Sequence, residues 1–160
     1  MRNLKLDRID RMLLEALQQD ARLTTAELAE LVSLSPSPCA RRIRRLEQAG
    51  LITRYRAELD KDMLELSLTA FVRVRLDHQA HASEAFESAM RDQAEVIHCH
   101  ALSGAFDYQL QVITEDFRRF EAWLRWLQQL SMVSSVDSSF ALRTVKENGP
   151  LPLSGLDTTP

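Results

Sequence analysis

Six arginines within 22 residues are the first chemistry the sequence offers. Arg41, Arg42, Arg44, Arg45, Arg54 and Arg56 lie in residues 35–56 against one acid, Glu47, so that segment carries +5 in a chain of net charge −3. A guanidinium is a planar, permanently charged fork that pairs through two bonds with phosphate or with guanine O6 and N7. The 17 Arg against 3 Lys favour that planar recognition over point charge alone. Everything outside the segment sums to −8. The acidic total therefore describes the rest of the chain, and the basic surface is segregated from it. The blander reading of such a run is a solvated helix face.

Other constellations are weaker. His98, Cys99 and His100 could be taken for a metal cluster, but strand alternation puts the two His on one face and Cys99 on the other. A tetrahedral site needs three or four converging ligands, so no metal is expected, and no cofactor. Cys39 falls on the apolar side of its helix, and His78 and His81 read as exposed loop residues. The Trp123 and Trp126 pair reads as core and interface. No phosphate-binding loop, GxGxxG or GxSxG occurs, and no acid, base and nucleophile converge, so an enzyme is not expected. The longest runs free of Asp, Glu, Lys and Arg are 11 residues, 96–106 and 126–136, whereas a membrane helix needs about 20 apolar residues. Two cysteines and a charged N-terminus argue against secretion, so a cytoplasmic protein is expected.

The elements that must position the arginines follow from caps and periodicity. Asp7 caps a helix over 8–19, with Ile9, Leu13, Leu14 and Leu17 as its stripe. Thr24 and Glu27 have capping-box spacing and open a short helix over 25–32. After the break Ser33-Leu34-Ser35, Ser35 serves as N-cap, Pro36 enters the first turn, and a third helix runs 36–49 to Gly50. Two short helices, a tight turn and a third helix make a helix-turn-helix. At about 100° per residue, Cys39, Ile43 and Leu46 share the core side, while Ser37, Arg41, Arg44, Arg45 and Gln48 point away. That outer face suits a major groove, with Ser37, Arg41 and Arg45 reaching bases and Arg42 and Arg44 gripping the backbone. Residues 51–57 alternate as a strand that sets Arg54 and Arg56 on one side, near phosphates.

Those residues carry a resemblance. The segment LSPSPCARRIRRLEQAGLITRYRAELD (34–60) resembles the winged helix-turn-helix of the Lrp/AsnC regulators. Leu6-Asp7-Arg8-Ile9-Asp10 with Leu14, Leu17, Gln18, Asp20 and Arg22 matches that family's opening. The likeness extends over about residues 4–153.

Beyond a polar link at 58–67 the periods alternate. Strands are expected at 68–76, 96–102, 108–113 and 133–145, and helices at 82–91 and 116–130, the ferredoxin-like order βαββαβ. The tail 148–160 is rich in breakers and reads as partly disordered, with Leu151-Pro152-Leu153 able to dock on a neighbouring subunit. This half resembles the family's regulatory domain through Cys99-His100, the turn Ser103-Gly104-Ala105-Phe106-Asp107-Tyr108, and the ending 138–146. The resemblance implies dimerisation through the sheet and an amino-acid site at Ser103, Gly104, Ala105, Asp107, Ser138 and Ser139. Gly104 would let a ligand approach bare backbone, or would simply supply positive φ. Asp107 would bond an α-ammonium group, or would be an ordinary turn acid. Ser138 and Ser139 would line the site, or would be exposed strand serines. Family members often carry an acid where this chain has Ala105, Pro-Gly where it has Ser131-Met132, and a glycine in the interdomain segment that 58–67 lacks.

The expected protein is α+β, an N-terminal winged helix-turn-helix (1–57), a linker (58–67), a ferredoxin-like amino-acid-sensing and dimerisation domain (68–147) and a tail (148–160). Its expected work is sequence-specific binding of double-stranded DNA through Ser35, Ser37, Arg41, Arg42, Arg44, Arg45 and Arg54. A small amino-acid effector would modulate it, with homodimers assembling to higher oligomers, an octamer among them. The alternative is an architectural DNA-binding protein of the same fold that needs no effector.

Overall fold

A computed structural model describes residues 4–77 and 80–155, so His78 lies outside the described residues. The chain divides into two compact units, Met1–Glu58 with Lys146–Pro160, and Leu59–Val145.

Three helices build the first unit: α1 (Arg8–Gln19), α2 (Thr25–Leu31) and α3 (Pro36–Gln48). Asp7 caps α1 in a capping box completed by Asp10, and Thr24 and Glu27 do the same for α2. Ser35 stands at the N-cap of α3 without a side-chain capping bond. The core gathers Leu13, Leu28, Ala29, Val32 and Cys39, with Ile9, Leu17, Leu34 and Ile43 packed against it.

The turn between α2 and α3 has a definite chemistry. Ser33 donates its N–H to Glu30 O and Leu34 to Ala29 O, and Ser33 sits at φ +55°. That is a Schellman ending with a left-handed residue that is not glycine. Gly50 closes α3 with the same pair of bonds, to Glu47 O and, through Leu51, to Leu46 O, at φ +77°. The pattern returns in the polar segment between the units' regular elements. Glu65 donates to Asp62 O and Leu66 to Lys61 O, with Glu65 at φ +59°. The left-handed residue of this turn is Glu65, and its Cβ disfavours that backbone.

In the second unit β1 (Leu68–Leu76), α4 (Ala82–Arg91), β2 (Val96–Ala101), β3 (Tyr108–Thr114), α5 (Phe117–Gln128) and β4 (Val133–Phe140) follow in order. The sheet order is β2-β3-β1-β4, antiparallel throughout, the ferredoxin-like arrangement. Ala70, Val72, Val74 and Leu76 of β1 face the helices with Leu110, Val112, Phe86, Phe120 and Leu127. The opposite face carries Phe71, Arg73, Arg75, His98, His100, Gln109 and Gln111, half-buried or exposed.

Some expected elements are shortened. Residues 51–57 open with a bend at 51–52 and form no strand among the described residues, so the expected strand does not appear. β4 ends at Phe140, because after Ala141 donates to Thr69 O the chain leaves β1. α5 is trimmed to Phe117–Gln128, with Asp116 accepting from Arg119 N as its N-cap. The tail turns back within the first unit. Leu151 N donates to Gln18 Oε1 at 2.6 Å, and Asn148 donates to Glu58 Oε1 at 2.9 Å.

Candidate nucleic-acid interface and effector turn

Two prolines shape the entrance to α3. Pro36 and Pro38 carry no N–H, so of the first three helical residues only Ser37 offers an unpaired backbone donor. Ser35, whose hydroxyl caps nothing, stands beside it, exposed. The N-terminal end of α3 therefore presents two hydroxyls and one free N–H.

The arginine run then divides in two. Asp10 is fully buried, and its carboxylate accepts from Arg42 at 2.9 Å, from Arg45 and from the Asp7 N–H at 3.1 Å. Arg42 also donates to Asp7 at 2.7 Å. Burial opposes charge on Asp7, but the Asp10 N–H and the Arg42 guanidinium outweigh it and hold the carboxyl below its ordinary value. Burial likewise works against charge on Arg42, and the two carboxylates overcome it and raise its pKa. Arg42 and Arg45 are thus the pins between α3 and α1. Arg45, expected at the bases, and Arg42, expected at the backbone, thus both carry internal partners. Both lie on the flank of α3 that meets α1, where a buried carboxylate captures them.

Arg41, Arg44, Arg54 and Arg56 are exposed and make no ion pair or side-chain hydrogen bond among the described residues. Ser37, Arg41, Arg44 and Gln48 form the outward face of α3. Tyr55 fixes the segment that follows. Its hydroxyl donates to Glu47 Oε1 at 2.9 Å, and burial together with that carboxylate pushes its pKa up to about 12. Glu47, the one acid of the basic segment, is thereby engaged, and Arg54 and Arg56 flank the anchor.

In the second unit the turn Ser103–Asp107 is held from three sides. Leu102 N donates to Asp107 O, Asp107 N to Val74 O, and Leu76 N to Asp107 Oδ2 at 2.7 Å. Arg75 donates twice to Ala105 O, at 2.7 and 3.0 Å. The Phe106 ring lies 4.9 Å from the Arg73 guanidinium and 5.4 Å from that of Arg75, and Arg73 pairs with Asp137. Gly104 has φ +139°, and no atom comes within 4 Å of where its Cβ would stand. Conformation explains the glycine, and the space before it is open. Asp107 already serves β1 through one carboxylate oxygen.

Ser138 and Ser139 are not gathered with this turn. They pair with Val72 and Phe71 and so point to opposite faces of the sheet. Phe71 and Arg75 are four strand residues apart, about 13 Å, so the two serines and the turn make no single site within one chain. His98 and His100 stack at 5.8 Å on the open face, and no group of three metal-binding side chains occurs among the described residues. Cys39 is buried, with burial raising its thiol pKa.

Comparison with known proteins decides the family. Residues 69–151 match the model of the Lrp/AsnC ligand binding domain and residues 6–53 that of a winged helix-turn-helix DNA-binding domain. The chain belongs to the Lrp/AsnC family. It is 38% identical over 146 residues to the proline dehydrogenase transcriptional activator of Rhizobium radiobacter, covering 90% of this chain and 94% of that one. It is likewise 38% identical over 148 residues to the leucine-responsive regulatory protein of Escherichia coli, with 91% and 90% covered. A transcriptional regulator of Neisseria meningitidis, solved in complex with L-Met, superposes with a TM-score of 0.92 at 40% identity, covering 94% and 99%. As a Lrp/AsnC protein the chain is a transcriptional regulator with a helix-turn-helix for DNA and a ligand-binding domain. These homologues are named as regulators and not as enzymes. No helix among the described residues is long and apolar enough to cross a membrane.

Asp10 and Tyr55, which hold the arginine-rich segment through internal hydrogen bonds, are residues that sequence reasoning passed over. Asp10 had a signal, since it falls on the apolar stripe of α1 three residues before Leu13, where an acid needs a cation. Tyr55 had none, because its partner lies across a segment without regular structure.

Proposed function

We propose that this Lrp/AsnC protein reads a specific DNA site with the outward face of α3. Ser37 and Arg41 reach base edges, while Arg44, Arg54, Ser35 and the Ser37 N–H hold phosphates. The division of the arginines supports this most directly: Arg42 and Arg45 are paired internally, whereas Arg41, Arg44 and Arg54 are exposed and have no ion pair among the described residues. A homodimer would set two α3 helices in successive major grooves, about one helical turn or a multiple apart, with dimers assembling to larger forms such as an octamer. Selection from random duplexes tests specificity. Arg41→Ala should relax preference at one base pair, costing about 1–3 kcal/mol, and an unaltered preference refutes the placement.

A small amino-acid effector would act at the turn Ser103–Asp107. The L-Met complex of the Neisseria meningitidis regulator supports an amino acid as the class of effector, and open space before Gly104 supports the turn as its place. One observation favours the second reading, an architectural protein without effector. Asp107 spends a carboxylate oxygen on Leu76 N, and Ala105 brings no acid. Calorimetry with the twenty amino acids separates the two. A hit weakened by Asp107→Ala supports the effector, and no hit at millimolar concentration supports the architectural role.

A further inference from the structure

We propose that the cavity between α4 and β2 is a second small-molecule site, shaped for a zwitterionic amino acid with an apolar side chain. Its volume is about 430 Å³, within the ordinary range for ligand pockets, about 300–1,000 Å³. No residue of the turn 103–107 lines it, so it is independent of the effector reading above.

A free amino acid asks for an anion near its ammonium, a cation near its carboxylate and an apolar wall for its side chain. Glu87 and Arg91 supply the two charges at the cavity mouth, one helical turn apart on α4. Their nearest atoms are 3.6 Å apart, too long for a hydrogen bond, and Arg91 is largely exposed. The pair is therefore close enough to hold both ends of a zwitterion without being locked to itself. Tyr108 donates its hydroxyl to Glu87 Oε1 at 2.9 Å and orients the carboxylate, whose Oε2 faces Arg91 across the 3.6 Å gap that a ligand ammonium would enter. Met90, Val96 and Ala101 make the apolar wall.

Cys99 completes the lining. Burial and the neighbouring Glu87 charge both push its thiol above its ordinary pKa. It is thus a neutral, polarisable wall near neutral pH, and it also reports occupancy. Cys39 is fully buried, which leaves Cys99 as the accessible thiol of the folded chain.

The test is the alkylation rate of Cys99 in the full-length protein by a neutral maleimide, with and without leucine or methionine. At three times its Kd either amino acid should slow the reaction about fourfold. Glu87→Gln and Arg91→Gln should each abolish the slowing, judged as the ratio of rates with and without ligand in the same variant. Asp107→Ala should leave it intact. The proposal is overturned if none of the twenty amino acids slows alkylation, if the slowing survives both cavity variants, or if Asp107→Ala removes it. A Cys99 that is inert in the unliganded protein at every dilution overturns it too, because the cavity would then be covered by another copy of the chain.

Discussion

Replacing Asp10 with Asn tests whether the arginine run is half structural. Asp10 is wholly inaccessible and accepts from two guanidiniums and one backbone N–H. Asn keeps the shape but removes the charge and turns one acceptor into a donor facing an arginine. Breaking a buried ion pair by removing one partner costs about 3–5 kcal/mol. The arginines temper this. Arg42 and Arg45 side chains are 28% and 45% exposed, and Arg42 keeps Asp7, so water compensates part of the loss. The expected cost is about 2–3 kcal/mol, which lowers the melting temperature of a unit of this size by about 8–24 °C. Differential scanning calorimetry should show the transition of the helical unit move. Tryptophan fluorescence should not move, because Trp123 and Trp126 both lie in the other unit. Combining Asp10→Asn with Arg45→Met should recover part of the loss, since no uncompensated charge remains there. A shift under about 4 °C would mean that the pairs contribute no more than surface salt bridges, and the reasoning fails.

The left-handed residues give a second expectation. Ser33→Gly and Glu65→Gly should each stabilise by about 0.5–1 kcal/mol, since relief of left-handed strain outweighs added chain entropy; denaturant midpoints measure it, and destabilisation by both would refute it. Acid sensitivity follows from Asp7, whose folded pKa is depressed. Its contribution is present above the unfolded value near 3.8 and is lost as pH falls below that toward the folded value, so Asp7→Asn should flatten the acid limb of a stability profile. Tyr55 works at the other end. Its folded pKa is raised to about 12, so its contribution is present below the unfolded value near 10 and lost as pH rises to about 12. Spectrophotometric titration should lose its highest-pH step in Tyr55→Phe.

The helical half was legible because its signals are local. Capping residues at Asp7 and Thr24 and a glycine at 50 fix helix ends through bonds within a few residues. The sheet was legible from alternation, which set β1 to the residue. What escaped depends on partners distant in sequence. The alternation of 51–57 signals a strand, yet none of the described residues supplies a ladder there, and Tyr55 anchors the segment instead. The face of Arg45 was read from angle alone, whereas a buried carboxylate 35 positions away decides where the side chain goes. Ser138 and Ser139 enter the expected effector site through the resemblance alone, and alternation along β4 turns them to opposite faces of the sheet.

The most direct test of the account is the salt dependence of DNA binding by Arg44→Ala beside Arg45→Ala. Arg44→Ala should flatten the slope of log K against log salt by about 0.9, the loss of one phosphate contact. Arg45→Ala should leave the slope unchanged and show its effect in the melting temperature of the helical unit. A flattened slope for Arg45→Ala with an unchanged one for Arg44→Ala would contradict the division of the arginines on which the account rests.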